Sequence, residues 1–290
     1  MLKKIALLIV LFSFQTFGQT SIQCQSSEPN CVPVGEWHFS VALGAGVYTN
    51  PLHGGKHIPL VLIPYVSYYD EKFFIENTTI GYTLLDQAGW NISLVGQLNH
   101  EQAFFERWHP NNIFVASAHS SFINGEIAAD NVERTIDVQD VSHRDWAYDS
   151  GLLINWYLTS KSQLTLEVLH DISNVYQGAH ATIDYRYRTT FGFIKKSKLE
   201  LATGISWKSS QLTNYYYGLS EKDTDDSLLH YRANAAWSPY IGLAFNKRLS
   251  KDWQLKVNIK REFLSNSITN SPLIRKNHVD TVFLGVKYVY

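Results

Sequence analysis

Long segments of this chain alternate strictly between apolar and polar side chains. That period of two restricts it to strands with two chemically different faces. Between His230 and Asn246 the odd positions carry Tyr231, Ala233, Trp237, Pro239, Ile241, Leu243 and Phe245, while His230, Arg232, Asn234, Ser238 and Asn246 fall on even ones. Trp253, Leu255, Val257 and Ile259 alternate with Gln254, Lys256, Asn258 and Lys260. Ala181, Ile183, Tyr185 and Tyr187 alternate with Thr182, Asp184, Arg186 and Arg188, and Leu199, Leu201, Ile205 and Trp207 with Glu200, Ala202, Gly204 and Ser206.

A soluble antiparallel sheet and a membrane barrel both alternate, and three features favour the barrel. Trp37, Trp90, Trp146, Trp156, Trp207 and Trp253 bound the apolar faces, as aromatic girdles at two bilayer interfaces require. The segments reach or exceed the ~9–11 residues of a tilted membrane strand, whereas globular strands centre on ~5–6. The final segment sets Val282, Leu284, Val286, Tyr288 and Tyr290 on one face. Tyr288 and Tyr290 there resemble the terminal aromatic signal by which outer-membrane barrels are recognised for insertion. An aromatic fraction of 14% in 290 residues suits a protein that lives at an interface. A formal net charge of -1 excludes a nucleic-acid binder working by counterion release. A mean hydropathy of -0.17 excludes a polytopic helical membrane protein, as does the lack, beyond the N-terminus, of an apolar run of ~18 residues.

The first residues indicate export. Lys3 and Lys4 precede an apolar run from Ile5 to Phe14, and Thr16-Phe17-Gly18 offers a cleavage site, the pattern of a signal peptide over 1–18. The residues before Cys24 lack the small-residue pattern of a lipoprotein site. A periplasmic segment, 19–36, should follow, with Cys24 and Cys31 as a disulfide candidate in an oxidising compartment. Residues 37–290 are then the barrel.

The alternation predicts an all-β fold: a transmembrane antiparallel up-and-down β-barrel of about 12 strands. They are read near 37–48, 58–69, 73–85, 90–104, 113–122, 144–158, 163–171, 178–189, 198–211, 229–248, 253–264 and 279–290. An even number with both ends in the periplasm puts short turns inside and long loops outside. The expected periplasmic turns are 70–72, 105–112, 159–162, 190–197 and 249–252. Loops 49–57, 123–143, 212–228 and 265–278 should face outward. Without a strand at 113–122 every later loop would change sides. Pro64 and Pro239 are awkward in central strands, so bulges or rim positions are expected there.

Several motifs stand in order along the chain: Gly35-Glu36-Trp37, Gly44-Ala45-Gly46, Asn50-Pro51-Leu52, Pro64-Tyr65, the run Tyr68 to Phe74, and Gly81-Tyr82. Arg144-Asp145-Trp146, Tyr215-Tyr216-Tyr217-Gly218, Ser271-Pro272-Leu273 and the terminal Tyr290 complete the set. Together they resemble the MipA/OmpV family of outer-membrane proteins, also called MltA-interacting proteins. The resemblance implies an outer-membrane location and a scaffold connecting a murein-cleaving transglycosylase to a murein synthase. Short periplasmic turns offer little area beside the ~800 Å² per partner of a stable interface. Location and fold therefore follow from it more firmly than the scaffold role.

Other residue patterns are weighed against plain structural roles. His170-Asp171 with Ser173, and His143 with Asp145, bring triad residue types together, but a triad is defined by geometry. No catalytic, metal or cofactor set is expected. Tyr215-Tyr216-Tyr217 reads as an outer girdle, or as a stacking platform for a sugar. The run Glu221 to Asp226 reads as a solvated loop, or as an oxygen-rich site for Ca²⁺ or Mg²⁺ shared with lipopolysaccharide phosphates. Asn77 and Asn91 begin Asn-x-Thr/Ser triplets on predicted strands and carry no glycosylation meaning. Asp184, Arg186, Arg188, Glu200, Lys208, Arg232, Lys256 and Lys260 should face the lumen, as compensating pairs or as a selectivity device. The sequence thus predicts a non-enzymatic envelope scaffold or surface-interaction protein in contact with outer-membrane lipid, lipopolysaccharide and periplasmic murein enzymes. The alternative is a narrow porin-like channel.

Overall fold

The alternating segments close on themselves because a bilayer offers no water to an unpaired backbone group. The computed structural model describes residues 34–106, 109–114, 134–190, 194 and 196–289. Residues 1–33, which hold the expected signal peptide and the disulfide candidate Cys24 and Cys31, and Tyr290 lie outside the described residues. The strands are β1 (Trp37–Tyr48), β2 (Ile58–Pro59), β3 (Leu62–Tyr69), β4 (Phe73–Glu76), β5 (Thr79–Gln87), β6 (Trp90–Leu98) and β7 (Tyr148–Tyr157). There follow β8 (Ser162–Asp171), β9 (Ala179–Thr189), β10 (Ser197–Lys208), β11 (Ala236–Arg248), β12 (Trp253–Phe263) and β13 (His278–Val289). Sequence neighbours pair antiparallel all the way round, and β13 returns to β1 from Ser40↔Val289 to Tyr48↔Thr281. β2 and β3 both pair with β1 and form one wall strand broken at Leu60-Val61, so the wall has twelve strands.

The count of twelve holds, but two elements differ from expectation. Pro110–Phe114, where the strand at 113–122 should begin, is helix α1, and residues 115–122 lie outside the described residues. The single strand expected at 73–85 is instead a hairpin of β4 and β5, turning at Asn77-Thr78. Asn77 adopts φ 52 there, a left-handed conformation asparagine tolerates better than most side chains. One strand lost and one gained leave the parity intact. The described residues of the expected turn 105–112 consequently lie on the outer side, and the turn between Gln87 and Trp90 is periplasmic. β11 begins only at Ala236; the residues before it belong to an outer loop, where Tyr231 bridges Leu219.

β4 is too short to cover β3. It pairs with Ser67, Tyr68 and Tyr69, and Asn77 adds a backbone and a side-chain bond to Val66. Among the described residues no strand flanks Leu62–Tyr65 on that side, and α1 lies against β3 instead. Strand alternation from Val66 aims Pro64 at this open edge, where a residue without N–H leaves no donor unsatisfied. Pro239 lies one residue beyond the last β11–β12 pair, Tyr240↔Glu262, at the outer rim. The bulge falls elsewhere, between Thr83 and Leu85.

The wall is inverted relative to a soluble protein. Leu43, Leu94, Ile183, Ile241 and Leu284 are exposed on its outside, while polar and charged groups point in. Trp37 packs 5.0 Å from Tyr68 and Trp253 5.0 Å from Tyr288 at the periplasmic rim. Trp90 lies opposite Trp156 on the same rim, and Trp207 stands 6.3 Å from Trp237 at the outer one. These are two girdles, as interfacial rings require.

The β1–β13 seam depends on missing side chains. A Cβ on Gly44 would lie 2.2 Å from the carbonyl oxygen of Leu284, and one on Gly285 2.4 Å from that of Leu43. Gly44→Val should therefore block closure: the variant is expected to lose the heat-modifiable folded band on unboiled gels, while a control at exposed Leu94 (Leu94→Val) keeps it.

Candidate functional site

The outer loops fold inward over the barrel and pack into a roof. Helix α2 (Ser210–Tyr217) is started by Ser209, whose hydroxyl accepts the N–H of Leu212. It buries Leu212, Tyr216 and Tyr217 against Leu52, Phe104 and Leu273, and both tyrosines are 0% exposed. Helix α3 (Asn266–Thr269) adds Ile268. Polar ties hold the loops together: Asn50 Nδ2 donates to the Phe104 carbonyl at 2.6 Å, and Ser271 Oγ to that of Tyr217 at 2.6 Å. Arg144 reaches Asp223 at 2.9 Å and donates to the Gly218 carbonyl at 3.2 Å. Burial pushes the Asp223 carboxyl up, but bonds from Ser142 and the Ser220 N–H, with the Arg144 charge, outweigh it and hold it below the usual range.

Four of the motifs quoted above meet here, those containing Asn50, Arg144, Tyr216 and Ser271. Tyr215-Tyr216-Tyr217 is thus neither a lipid girdle nor an open stacking platform: Tyr216 and Tyr217 are core residues of the roof. The loop from Glu221 to Asp226 is not simply solvated either, because Asp223 is committed to Arg144, Ser142 and Ser220. Among the described residues no cluster of His, Cys, Asp and Glu has metal-binding geometry.

Beneath the roof lies a cavity of 720 Å³, bounded above by Tyr48, Phe104, Leu212, Leu264 and Val279. Its upper half is a network of opposite charges. Lys208 Nζ lies 2.7 Å from Glu101 and 3.5 Å from Glu262, and Lys260 lies 3.6 Å from Glu262. The Tyr217 hydroxyl donates to Glu101, which fastens the roof to this network. A second tie runs through Asp149, fully buried, which accepts from Tyr176 at 2.6 Å and from Asn99 at 2.6 Å and contacts His180 at 2.9 Å. Further down, Asp184 meets Arg186 at 2.5 Å and takes the Tyr240 hydroxyl at 2.5 Å. Arg188 meets Glu200 at 2.7 Å.

Of the charges predicted for the lumen, Asp184, Arg186, Glu200, Lys208, Lys256 and Lys260 line this cavity, and Arg188 sits by Glu200 near its periplasmic end. Arg232 does not: it is exposed in the outer loop before β11. Sequence reasoning missed Glu101, Asp149, Glu167, Glu262 and Lys287. Glu262 continues the even series of Lys256 and Lys260 and was detectable. Glu101 stands on a short helical turn (Glu101–Phe104) that dips into the barrel, and no strand period announces it.

The triad-like residues do not assemble. Ser173 Oγ donates to Asp171 at 2.6 Å, and Asp171 also accepts the N–H groups of Tyr176 and Gln177. The carboxylate closes a turn. His170 lies on the opposite strand face and contacts the Asp171 carbonyl rather than Ser173. His143 and Asp145 are 3.9 Å apart and mostly exposed.

Comparison with known proteins gives a consistent family. The sequence profile described as "MltA-interacting protein MipA" matches residues 41–290. The MltA-interacting protein of Escherichia coli (strain K12) is 23% identical over 256 residues, 88% of this chain and 91% of that protein. The putative outer membrane protein YiaT of the same strain is 25% identical over 255 residues, 86% and 90% of the two chains. Among solved structures, an outer membrane channel from Pseudomonas putida F1 aligns over 92% of this chain and 100% of its own, with 11% identity and a TM-score of 0.38.

Two outcomes test the roof. His109 is buried beside Trp146, their ring centroids 4.8 Å apart. Burial pushes its pKa down to about 4, against a smaller upward pull from Glu106. An unfolded histidine binds its proton near ~6.5, so this contribution to stability is whole above that pH and is lost as pH falls toward 4. Asp223, with its depressed pKa, weakens the roof in the same direction at still lower pH. Amide exchange in 99–106 and 142–147 should accelerate between pH 6.5 and 4.5, and His109→Phe should flatten that dependence. Arg144→Met leaves Asp223 buried without its cation, a loss of about 3–5 kcal/mol; proteolysis within 218–230 should become rapid while the barrel core stays resistant.

Proposed function

This chain belongs to the MltA-interacting protein (MipA) family of outer-membrane β-barrels, and from that premise we propose that it is a non-enzymatic, non-conducting barrel that serves a murein enzyme in the periplasm. The roof carries this reading. A solute pore needs a path to the outside, and here the outer end is filled by side chains such as Tyr216, Leu52 and Leu273 that are 0% exposed. An enzyme needs a nucleophile and base in register, and the nearest sequence candidates are spent on closing a turn. What faces the periplasm is a wet lumen and short turns at 70–72, 158–161 and 249–252. Those turns are the surface offered to the murein partner that the relative's name implies. Contact with bilayer lipid and lipopolysaccharide follows from the apolar wall and its two girdles.

A narrow channel is the second reading, favoured by one observation. Among the described residues the roof loops pair with one another only through the isolated bridges Leu52–Ile274 and Leu219–Tyr231, and side-chain packing, hydrogen bonds and ion pairs fasten them to the lumen, so displacement of the roof would uncover a polar lumen.

Planar-bilayer recording separates the two. The closed reading expects no steady conductance from the purified chain, whereas stable, ion-selective openings would establish the channel. For the partner, photo-crosslinkers at Glu71, Lys161 and Lys251 should capture a murein enzyme in intact cells; recovery of none would remove the scaffold role.

A further inference from the structure

Glu167 and Lys287 both line the cavity under the roof, and among the described residues neither has an opposite charge within 4 Å. They stand on opposite walls. Glu167 is on β8 and Lys287 on β13, five wall strands apart in one direction and seven in the other. The remaining charges of the lining are committed. Lys208 and Lys260 belong to the network of Glu101 and Glu262, Asp184 to Arg186, and Glu200 to Arg188. Lys256 is engaged as well, and Glu76 takes the Tyr69 hydroxyl.

The surroundings of each charge hold it toward the cavity. Thr79 Oγ1 donates to Gln97 Oε1 at 3.0 Å, and the Gln97 amide donates to Glu167. That reach crosses β7, whose inward position between Asp149 and Leu153 is Gly151, without a side chain. His180 and Arg186 act on Glu167 electrostatically, but they are held by Asp149 at 2.9 Å and Asp184 at 2.5 Å. On the other wall the Lys287 ammonium stands 5.3 Å from the centre of the Tyr65 ring. Ser40 is its diagonal neighbour across the β1–β13 seam, since Lys287 is opposite Ala42 and Val289 opposite Ser40. Ser40 is 4% exposed and lines the same cavity, yet its Oγ has no hydrogen-bond partner. A buried hydroxyl left in that state costs stability. An ammonium beside an unsatisfied hydroxyl suits a carboxylate, which accepts from both.

We propose that the lumen binds short linear peptides with free ends, the amino terminus at Glu167 and the carboxyl terminus at Lys287 and Ser40. Twelve strands about 4.8 Å apart and tilted by about 40° make a ring roughly 24 Å across, leaving about 10–15 Å between two side chains that point inward from opposite walls. An extended tripeptide covers about 10 Å, and a hydrogen bond at each end spans the rest. A single amino acid is too short to touch both walls. Thr165, Thr182 and Thr281 line the same cavity and can donate to or accept from peptide groups. Its 720 Å³ lies in the range of small-ligand sites, ~300–1,000 Å³. Opposite charges at the two walls also fix direction, because a reversed peptide would set like charges together. Entry from the periplasm rests on the reading of the barrel as closed at its outer end.

The test uses the full chain in detergent, titrated calorimetrically at low salt with tri-alanine, N-acetyl-tri-alanine and tri-alanine amide. Tri-alanine should bind at least tenfold more tightly than either capped form, and at least tenfold more tightly than alanine. Glu167→Gln should erase the preference for a free amine and keep that for a free carboxylate, and Lys287→Met should do the reverse. The heat-modifiable folded band reports that each variant folds. A cap that costs less than tenfold at either end would overturn the proposal, as would the absence of tri-alanine binding. Both are measured on the unaltered chain and need no variant to fold. In detergent solution the peptide reaches both ends of the barrel, so the titration does not depend on the side of entry. Failure of the closed-barrel reading gives a different signal, steady bilayer conductance, and the two failures are distinguishable.

Discussion

Satisfying backbone hydrogen bonds where no water reaches is the constraint from which the rest of this structure follows. It requires the first and last strands to meet, and they meet through Gly44 and Gly285, where a side chain would collide with the partner backbone. Closure then fixes the chemistry of both faces. Residues outside the ring touch lipid and are apolar; those inside are shielded from lipid and can be polar. Even the break in the ring obeys the rule: where β4 stops short, β3 presents a proline to the gap and a helix lies against it.

Once the wall is closed, the interior becomes the place for specific chemistry, and it is divided by height. At the top, apolar loop residues form a plug, and Tyr217, Tyr176 and Asn99 bond it to the wall through Glu101 and Asp149. In the middle, opposite charges neutralise one another. The roof over this neutralised interior describes a vessel that opens toward the periplasm, and this agrees better with an envelope partner role than with a pore.

Much of the wall was legible in the sequence because lipid and lumen impose a strict period on it. The reading failed where that period was coincidental or was interrupted by a weak signal. Residues 73–87 are β-prone throughout, so a lone Asn77 at φ 52 did not announce the turn that makes two strands of one. Tyr231, Ala233 and Ala235 continue the alternation of β11 although their backbone has left the sheet, and Arg232 was carried into the lumen with them. The roof was the least legible part. Its residues come from five separate loops, and nothing local distinguishes a tyrosine buried under loops from one in a girdle. Glu101 and Asp149 acquire their roles only when distant loops close over the barrel.

The central claim is a lumen shut from outside and wet from the periplasm. Chemical labelling of one lumen position tests it most directly. Thr182→Cys, placed under the roof in a chain whose Cys24 and Cys31 are changed to Ser, would be exposed to a membrane-impermeant maleimide in intact cells and again after the periplasm is opened. The account predicts no modification from outside and rapid modification from the periplasmic side. Modification in intact cells at the rate of an outer-loop cysteine would contradict it.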